Sequence, residues 1–135
     1  MSGDAQNGSR RQALVIDDSR TMRHITADLL RALSFEVAEA ENGRVGLEAL
    51  RRLSGATLVL VDWNMPEMDG LAFIRAVRSD PSYQHVLLMM VTTEVEMARV
   101  QQALSAGADE YLMKPFTNEM VLDKLALLGV LEDMA

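Results

Sequence analysis

The sequence predicts an α/β protein built on a single doubly wound parallel sheet, and three observations support this prediction. Short apolar runs alternate with segments whose apolar residues recur at helical spacing, and this alternation occurs five times along the chain. The central apolar runs are continuous, as expected for parallel strands that are buried on both faces. The 135 residues show no linker and no internal repeat, which indicates one (βα)5 domain.

The first half of the chain supplies two strand–helix units. The run ALVI at 13–16 predicts strand β1, and the alternating EVAEA at 36–40 predicts strand β2. Helix α1, at about 19–33, is predicted from the helical spacing of Met22, Ile25, Leu29, Leu30 and Leu33. Helix α2, at about 44–53, is predicted in the same way from Val45, Leu47, Leu50 and Leu53.

The second half supplies three further units. The runs TLVLVD at 57–62 and HVLLMMVT at 85–92 are almost wholly apolar and predict strands β3 and β4, with helix α3 between them at about 70–79, ending near Pro81. Thr93 and Glu96 have the spacing of a capping box for helix α4, which Gly107 is placed to end. The remaining ranges are α4 at about 94–106, β5 at 110–114 and α5 at about 118–128.

The strand patterns also predict the order of the sheet. β1, β3 and β4 are continuous apolar runs, whereas β2 and β5 alternate, so β2 and β5 belong at the edges. Right-handed crossovers then favour the order 2-1-3-4-5, the known order of flavodoxin-like sheets. In that order the chain reverses direction between β1 and β3. Because doubly wound sheets bind their ligands beyond the carboxyl ends of the strands at this point, the sequence predicts a site there.

Composition excludes several classes of protein. The net charge of −7 argues against binding to nucleic acid or to an anionic membrane surface, and the absence of cysteine excludes disulfides and thiolate metal sites. No apolar segment approaches the length of a membrane helix. Residues 1–11 are predicted to be a flexible polar tail without a signal peptide, and residues 12–131 the folded domain. We therefore expect a cytoplasmic protein.

Polar residues end the strands of the predicted sheet. Asp17 and Asp18 follow β1, while Asp62, Thr92 and Lys114 end β3, β4 and β5. Three carboxylates in one cleft repel unless a cation compensates, and a few oxygen ligands with spare water positions suit Mg²⁺ better than Ca²⁺. The metal and Lys114 would neutralise phosphoryl oxygens, Thr92 would hold one, and a carboxylate could attack phosphorus. The set fits phosphoryl chemistry.

Each of these residues also has an ordinary structural interpretation. The paired aspartates could form a helix N-cap, Thr92 could cap the next helix, and Lys114 could be a loop lysine. Asp69–Gly70 has the composition of a turn, and Tyr111 that of a half-buried edge residue. The functional interpretation rests on the whole set, since chance rarely places such residues at successive strand ends in this order.

The runs VIDDS, LVDWNMPEMDG, MMVTTE and GADEYLMKPF resemble the motifs of response-regulator receiver domains, and the resemblance covers about residues 12–130. It is closest to stand-alone chemotaxis regulators of the CheY type, through DWNMPEMDG and YLMKPF. The resemblance implies the flavodoxin-like receiver fold. It also implies that Asp62 accepts a phosphoryl group from the phosphohistidine of a sensor histidine kinase, forming an acyl phosphate.

The same resemblance implies roles for the neighbouring residues. Mg²⁺ would be held by Asp17, Asp18, Asp62 and the backbone carbonyl of Asn64. Thr92 would hydrogen-bond one phosphoryl oxygen and Lys114 would pair with another, and the Lys114–Pro115 bond is expected to be cis. Three residues would tune the lifetime of the acyl phosphate, which is expected to be short: Asn64, Thr93 and Glu94. Of these, Thr93 is bulkier than the alanine common in CheY and would limit access of water or a phosphatase.

Phosphorylation is expected to act through a partner face formed by α4, β5 and α5. In the family the threonine matching Thr92 moves inward and the aromatic matching Tyr111 follows, which shifts a pre-existing equilibrium of this face. The face would comprise Val95, Met97, Val100, Leu104, Tyr111, Met113 and Lys124, although Val100 and Leu104 could instead be core residues. The flagellar motor switch is one candidate partner, but Glu96 and Met97 stand where CheY is basic. A phosphatase is a second candidate partner. We expect the protein to be a monomer.

The sequence thus predicts a single-domain response regulator in chemotaxis or motility signalling, with no output domain and only self-catalysed phosphotransfer and autodephosphorylation. The alternative is a stand-alone receiver in a non-motility phosphorelay or stress pathway. An aspartyl-phosphate phosphohydrolase is disfavoured because Trp63 and Asn64 follow Asp62 where such enzymes carry a second aspartate. A flavin- or nucleotide-binding protein is also disfavoured, because this chain has no phosphate-binding loop after β1. The complete set of site residues argues against an unphosphorylated scaffold.

Overall fold

The computed structural model of the chain describes residues 11–53, 55–63, 65, 68–93 and 99–130, with the backbone alone at 56 and 57. The strands are β1 (Gln12–Ile16), β2 (Glu36–Ala40), β3 (Ala56–Asp62), β4 (Leu87–Thr92) and β5 (Glu110–Met113). The helices are α1 (Arg20–Ala32), α2 (Gly43–Arg52), α3 (Gly70–Arg78), α4 (Val100–Ala106) and α5 (Asn118–Leu127). A 3₁₀ helix, Pro81–Tyr83, precedes β4.

The five strands form one parallel sheet in the predicted order β2-β1-β3-β4-β5, with the two alternating strands at its edges. The register joins Ala40, Ile16, Val61, Met90 and Tyr111 in one continuous row across the sheet. Because all strands point the same way, the residues that follow this row lie along a single edge of the sheet. The fold class predicted from the sequence is confirmed.

Successive residues of the central strands pack on opposite faces, so the sheet separates two apolar cores. Leu14 and Val59 contribute to the core under α2, α3 and α4, which includes Phe73. Ala13 and Leu58 contribute to the core under α1 and α5. All of these side chains are fully buried. The continuous apolar runs of the sequence reflect this burial on both sides.

Among the boundaries that lie wholly within the described residues, the start of β4 differs most from its prediction. The sequence suggested a strand from residue 85, whereas the strand begins at Leu87. The preceding residues include the 3₁₀ helix, in which the Asp80 side chain accepts a hydrogen bond from the backbone N–H of Ser82 and Pro81 occupies the first position. The N–H of Val86 donates to the carbonyl of Tyr83 at 3.1 Å, so residues 85 and 86 belong to the turn that follows the 3₁₀ helix and not to the strand.

Other bounds differ by one residue or lie outside the described part. β5 ends at Met113, so Lys114 directly follows the strand instead of ending it. Gly107 ends α4 with a φ of 122°, as predicted for a glycine in this position. Glu96 of the predicted capping box and residues 1–10 of the tail predicted at 1–11 lie outside the described residues. No helix in the described ranges is long and apolar enough to cross a membrane.

Candidate functional site

Backbone hydrogen bonds continue the strand pairing past the end of the sheet and position the polar residues there. The N–H of Asp17 donates to the carbonyl of Ala40 at 3.1 Å. The N–H of Lys114 donates to the carbonyl of Thr92 at 2.7 Å, so these two residues are fixed side by side. The sheet thus holds the candidate residues by their main chain before any side-chain contact is considered.

Three carboxylates meet at this edge. Asp17, Asp18 and Asp62 each offer an oxygen, and these oxygens all lie within 4.8 Å of one another. Asp17 and Asp62 are buried, with 5% and 6% of their surfaces exposed, whereas Asp18 is exposed. Like charges this close repel in a partly buried site, and a hard cation would relieve the repulsion. Oxygen ligands open to solvent on one side fit a divalent ion such as Mg²⁺, which keeps several waters.

Lys114 supplies a positive charge to the same edge. Its ammonium Nζ lies 3.1 Å from Asp17 Oδ2 and 3.5 Å from Asp62 Oδ2. Burial lowers the pKa of Lys114, but the negative charges of Asp62 and Asp17 outweigh this effect and raise the pKa above its ordinary value. The side chain therefore remains an ammonium at neutral pH. The Lys114–Pro115 peptide bond is cis, as expected.

Thr92 and Thr93 bring hydroxyl groups to the end of β4. Thr92 is fully buried, and its Oγ1 donates to the carbonyl of Thr93 at 3.3 Å. Thr93 is half-buried. Because a threonine hydroxyl rotates about one bond, the Thr92 hydroxyl can serve as a donor to another acceptor at this edge. The structure thus brings together Asp17, Asp18, Asp62, Thr92 and Lys114.

Capping by Ser19 leaves the aspartates for other contacts. Ser19 is the N-cap of α1, and its side chain accepts from the N–H of Met22. Asp17 Oδ1 accepts from the N–H of Ser19 at 2.9 Å, while Oδ2 faces Lys114. The interpretation of the aspartate pair as the helix N-cap is therefore wrong: the serine that follows them caps the helix.

Arg23 and Glu39 form a polar cluster that holds the backbone of Asp17, and the sequence did not predict it. The Arg23 guanidinium donates to the backbone carbonyl of Asp17 at 2.9 Å and to Glu39 Oε1 at 3.2 Å. Glu39 also contacts Arg31 and His24, at 3.2 and 3.1 Å. No sequence pattern links α1 with β2 in this way, because the contact depends on the pairing of β2 with β1.

The structural role of Gly70 also differs from the prediction. Asp69–Gly70 was predicted to form a turn, but Asp69 is the N-cap of α3 and Gly70 is its first residue. A Cβ on Gly70 would lie 2.7 Å from the carbonyl oxygen of Asp62 and 2.9 Å from Trp63 Cα. Glycine is needed here because α3 begins directly against the backbone that carries Asp62. The sequence contains the glycine but not this close approach.

The predicted partner face is only partly described. Val100 is buried in the core that includes Trp63, which is the alternative that the sequence had left open. Leu104 is 37% exposed, and Tyr111 and Met113 are half-buried. Four of the residues predicted for the site and the partner face lie outside the described part of the chain. Asn64 and Glu94 belong to the site, and Val95 and Met97 belong to the face.

Lys124 joins β5 to α5 on this face. Its Nζ lies 2.8 Å from Glu110 Oε1 and 4.2 Å from the centroid of the Tyr111 ring. Burial raises the pKa of Glu110, but the hydrogen bonds from Lys124 and from the backbone N–H of Tyr111 outweigh burial and lower it. Lys124 is therefore engaged within the chain, over the ring that was predicted to move.

Comparison with known sequences identifies related proteins. The family model described as the response regulator receiver domain matches residues 13–126. The chain is 43% identical over 113 residues to "Chemotaxis protein CheY1" of Helicobacter pylori, covering 83% of this chain and 91% of that protein. It is 39% identical over 113 residues to "Chemotaxis protein CheY" of Pseudomonas aeruginosa, covering 83% and 90%.

Comparison with solved structures gives the same group. The chemotaxis protein CheY4 of Vibrio cholerae superposes with a TM-score of 0.80 at 31% identity, over 87% of this chain and 98% of that one. A probable two-component response regulator/GGDEF domain protein superposes with a TM-score of 0.83 at 32% identity, over 93% of this chain. The chain spans only 51% of that second protein.

Proposed function

Since this chain belongs to the response regulator receiver family and is CheY-like, we propose that Asp62 accepts a phosphoryl group from the phosphohistidine of a sensor histidine kinase. The resemblance found in the sequence is confirmed. The observation that supports the proposal is the convergence at Asp62. Two further carboxylates have oxygens within 4.8 Å of its own, and the Lys114 ammonium lies 3.5 Å away.

The proposed step is a transfer of one phosphoryl group. An oxygen of the Asp62 carboxylate attacks phosphorus, and the new O–P bond forms as the P–N bond to the donor imidazole breaks. The electron pair of that bond stays on the imidazole nitrogen, which takes a proton from water. Lys114 and Thr92 would each hold a phosphoryl oxygen, Lys114 by charge and Thr92 by its hydroxyl. Positioning and charge compensation supply the catalysis, as is usual for phosphoryl transfer.

Mg²⁺ would be held by Asp17, Asp18 and Asp62, together with the backbone carbonyl of Asn64 that the family pattern implies. When bound, it would neutralise charge on the phosphoryl oxygens and relieve the repulsion among the carboxylates. Asp17 is already oriented for this role, because the N–H of Ser19 holds one oxygen of its carboxylate and Arg23 holds its backbone carbonyl. The acidic set of the chain fits the ion.

We further propose that the acyl phosphate shifts the α4–β5–α5 face to bind an output protein in chemotaxis signalling. The curated relatives support this setting, since they are named chemotaxis proteins. A stand-alone receiver in another pathway is the second candidate. Three further statements stay predictions: that the chain is no enzyme beyond self-catalysed transfer and hydrolysis, that it is a monomer, and that it is cytoplasmic.

The proposal is tested by phosphorylation with a small donor. Wild-type protein incubated with phosphoramidate and Mg²⁺ should gain the mass of one phosphoryl group, and Asp62→Asn should gain none. Asp28→Asn is the matched control, because Asp28 is 75% exposed on α1 and should leave labelling unchanged. Label that persists in Asp62→Asn would show that another residue is the phosphoacceptor. No label on the wild type would contradict the proposed function itself.

A further inference from the structure

The start of α4 covers the residue that follows the phosphoacceptor. The guanidinium carbon of Arg99 lies 5.7 Å from the centroid of the Trp63 ring, within the range of a cation–π contact. Trp63 is 4% exposed, whereas Arg99 is exposed. The next residue, Val100, is buried in the same core cluster as Trp63. The start of α4 therefore places a cation over the indole, while the next side chain is buried in the same core.

Two backbone hydrogen bonds fix the position of Trp63. Its backbone N–H donates to the carbonyl of Val91 at 2.9 Å, and its carbonyl accepts from the N–H of Gly70 at 3.0 Å. These bonds fix Trp63 between the end of β4 and the start of α3, next to Asp62. The backbone of Trp63 is thus fixed next to Asp62 in the chain, and its buried ring is the surface on which Arg99 lies.

The structure indicates no capping role for Arg99. It occupies the N-cap position of α4, where serine, threonine, aspartate or asparagine is preferred, and its side chain makes no capping hydrogen bond. A cation is also unfavourable at a helix N-terminus because of the helix dipole. The contact with Trp63 gives a physical reason for an arginine at this position.

We propose that Arg99 is a positioning residue that couples Asp62 to α4 through the Trp63 ring. The inference rests on the proposed function and adds a second route beside Thr92 and Tyr111. The contact is present in the resting chain, so it stabilises the resting position of α4. A phosphoryl group on Asp62 that shifts α4 must weaken the contact. By reciprocity, removal of the contact should favour the shifted state and tighten binding of a phosphoryl mimic.

The test compares Arg99→Gln with Arg52→Gln. Both variants lose one exposed arginine, but Arg52 ends α2 at the opposite edge of the sheet, because crossover helices return the chain to the start of the next strand. The dissociation constant for beryllofluoride is measured by calorimetry at saturating Mg²⁺. We expect Arg99→Gln to bind the mimic about two- to fivefold more tightly than Arg52→Gln, the range for an exposed cation–π contact.

A double-mutant cycle separates this role from a general charge effect. In a Trp63→Leu background the ring is absent, so Arg99→Gln should then leave the affinity for the mimic unchanged. Equal affinities of Arg99→Gln and Arg52→Gln would overturn the inference, and so would weaker binding by Arg99→Gln or an undiminished gain in the Trp63→Leu background. If wild-type protein does not bind the mimic at all, the proposed function fails and the coupling fails with it.

Discussion

Asp18 differs from the other two carboxylates of the site in its surroundings. Lys114 contacts Asp17 and Asp62, and both of these side chains are buried. Asp18 is exposed, and its carboxylate lies within 4.8 Å of the other two. Without a metal ion, Asp18 therefore adds repulsion to the folded state. With a metal ion, it adds a ligand. Its contribution to stability should change sign with Mg²⁺.

We predict that Asp18→Asn stabilises the metal-free protein and weakens its response to Mg²⁺. Relief of repulsion at a solvent-facing position should add about 0.5–1 kcal/mol to the free energy of unfolding. Thermal unfolding with EDTA should then show a Tm about 2–4 °C above the wild type. In millimolar Mg²⁺ the wild type should gain stability and Asp18→Asn much less. A variant that is less stable in EDTA, or gains as much from Mg²⁺ as the wild type, would contradict this.

The positions of single residues were predictable where backbone topology alone decides them. Asp17, Asp62, Thr92 and Lys114 share an edge because parallel strands end together, which an apolar pattern reveals. Gly70 was not predictable in the same way, because its role depends on how closely α3 approaches the backbone of Asp62. Such distances come from the packing of segments far apart in sequence.

At the scale of elements, Arg78 ties four segments together at the end of α3. Its guanidinium donates to the backbone carbonyls of Gly107, Tyr83 and Val86, at 2.9, 3.0 and 2.7 Å. It also pairs with Asp109 at 2.8 Å, whose carboxylate accepts from the N–H of Leu88. These contacts join α3, the 3₁₀ helix, the start of β4 and the turn before β5.

We predict that Arg78→Gln destabilises the protein strongly. A glutamine amide cannot reach or replace the planar donors of the guanidinium, so three carbonyls and the Asp109 carboxylate each lose the hydrogen bond that they accept from Arg78. The free energy of unfolding, measured in urea, should fall by about 2–3 kcal/mol. Arg75→Gln is the control, because Arg75 lies exposed one turn earlier on α3 and its loss should cost less than about 0.5 kcal/mol. Similar losses for the two variants would show that the contacts of Arg78 are not stabilising.

The same cluster explains why the sequence placed the start of β4 wrongly. The 3₁₀ helix at Pro81–Tyr83 is held by Arg78, whose other partners come from residues 86–109. Apolar periodicity indicates which residues are buried, but not which distant backbone carbonyls accept hydrogen bonds from an arginine. Element types and order follow from the burial pattern, whereas this boundary follows from tertiary hydrogen bonds.

Across the whole molecule, one sheet serves two cores. Trp63 belongs to the core under α2, α3 and α4, while Leu125 on α5 belongs to the core on the other face. Both cores are built from alternate residues of the same strands, such as Leu14 and Val15 of β1. Loss of either core should therefore remove the support of the other, and we expect the domain to unfold in one cooperative transition.

We predict that Leu125→Ala lowers the stability of the core around Trp63, on the other face of the sheet. Leu125 is fully buried, so truncation should lower the free energy of unfolding by about 2–5 kcal/mol. Trp63 is the only tryptophan of the chain, so its fluorescence reports the opposite core, while far-UV circular dichroism reports the helices of both faces. Both urea midpoints should fall together.

Leu127→Ala, on the same helix but 72% exposed, is the control and should change stability by less than about 0.5 kcal/mol. If Leu125→Ala shifted the circular dichroism transition and left the Trp63 transition in place, the two layers would unfold separately. In that case the sheet would not couple its two faces. A structural change at Asp62 would then be transmitted to a partner-binding surface only through the layer of α2, α3 and α4.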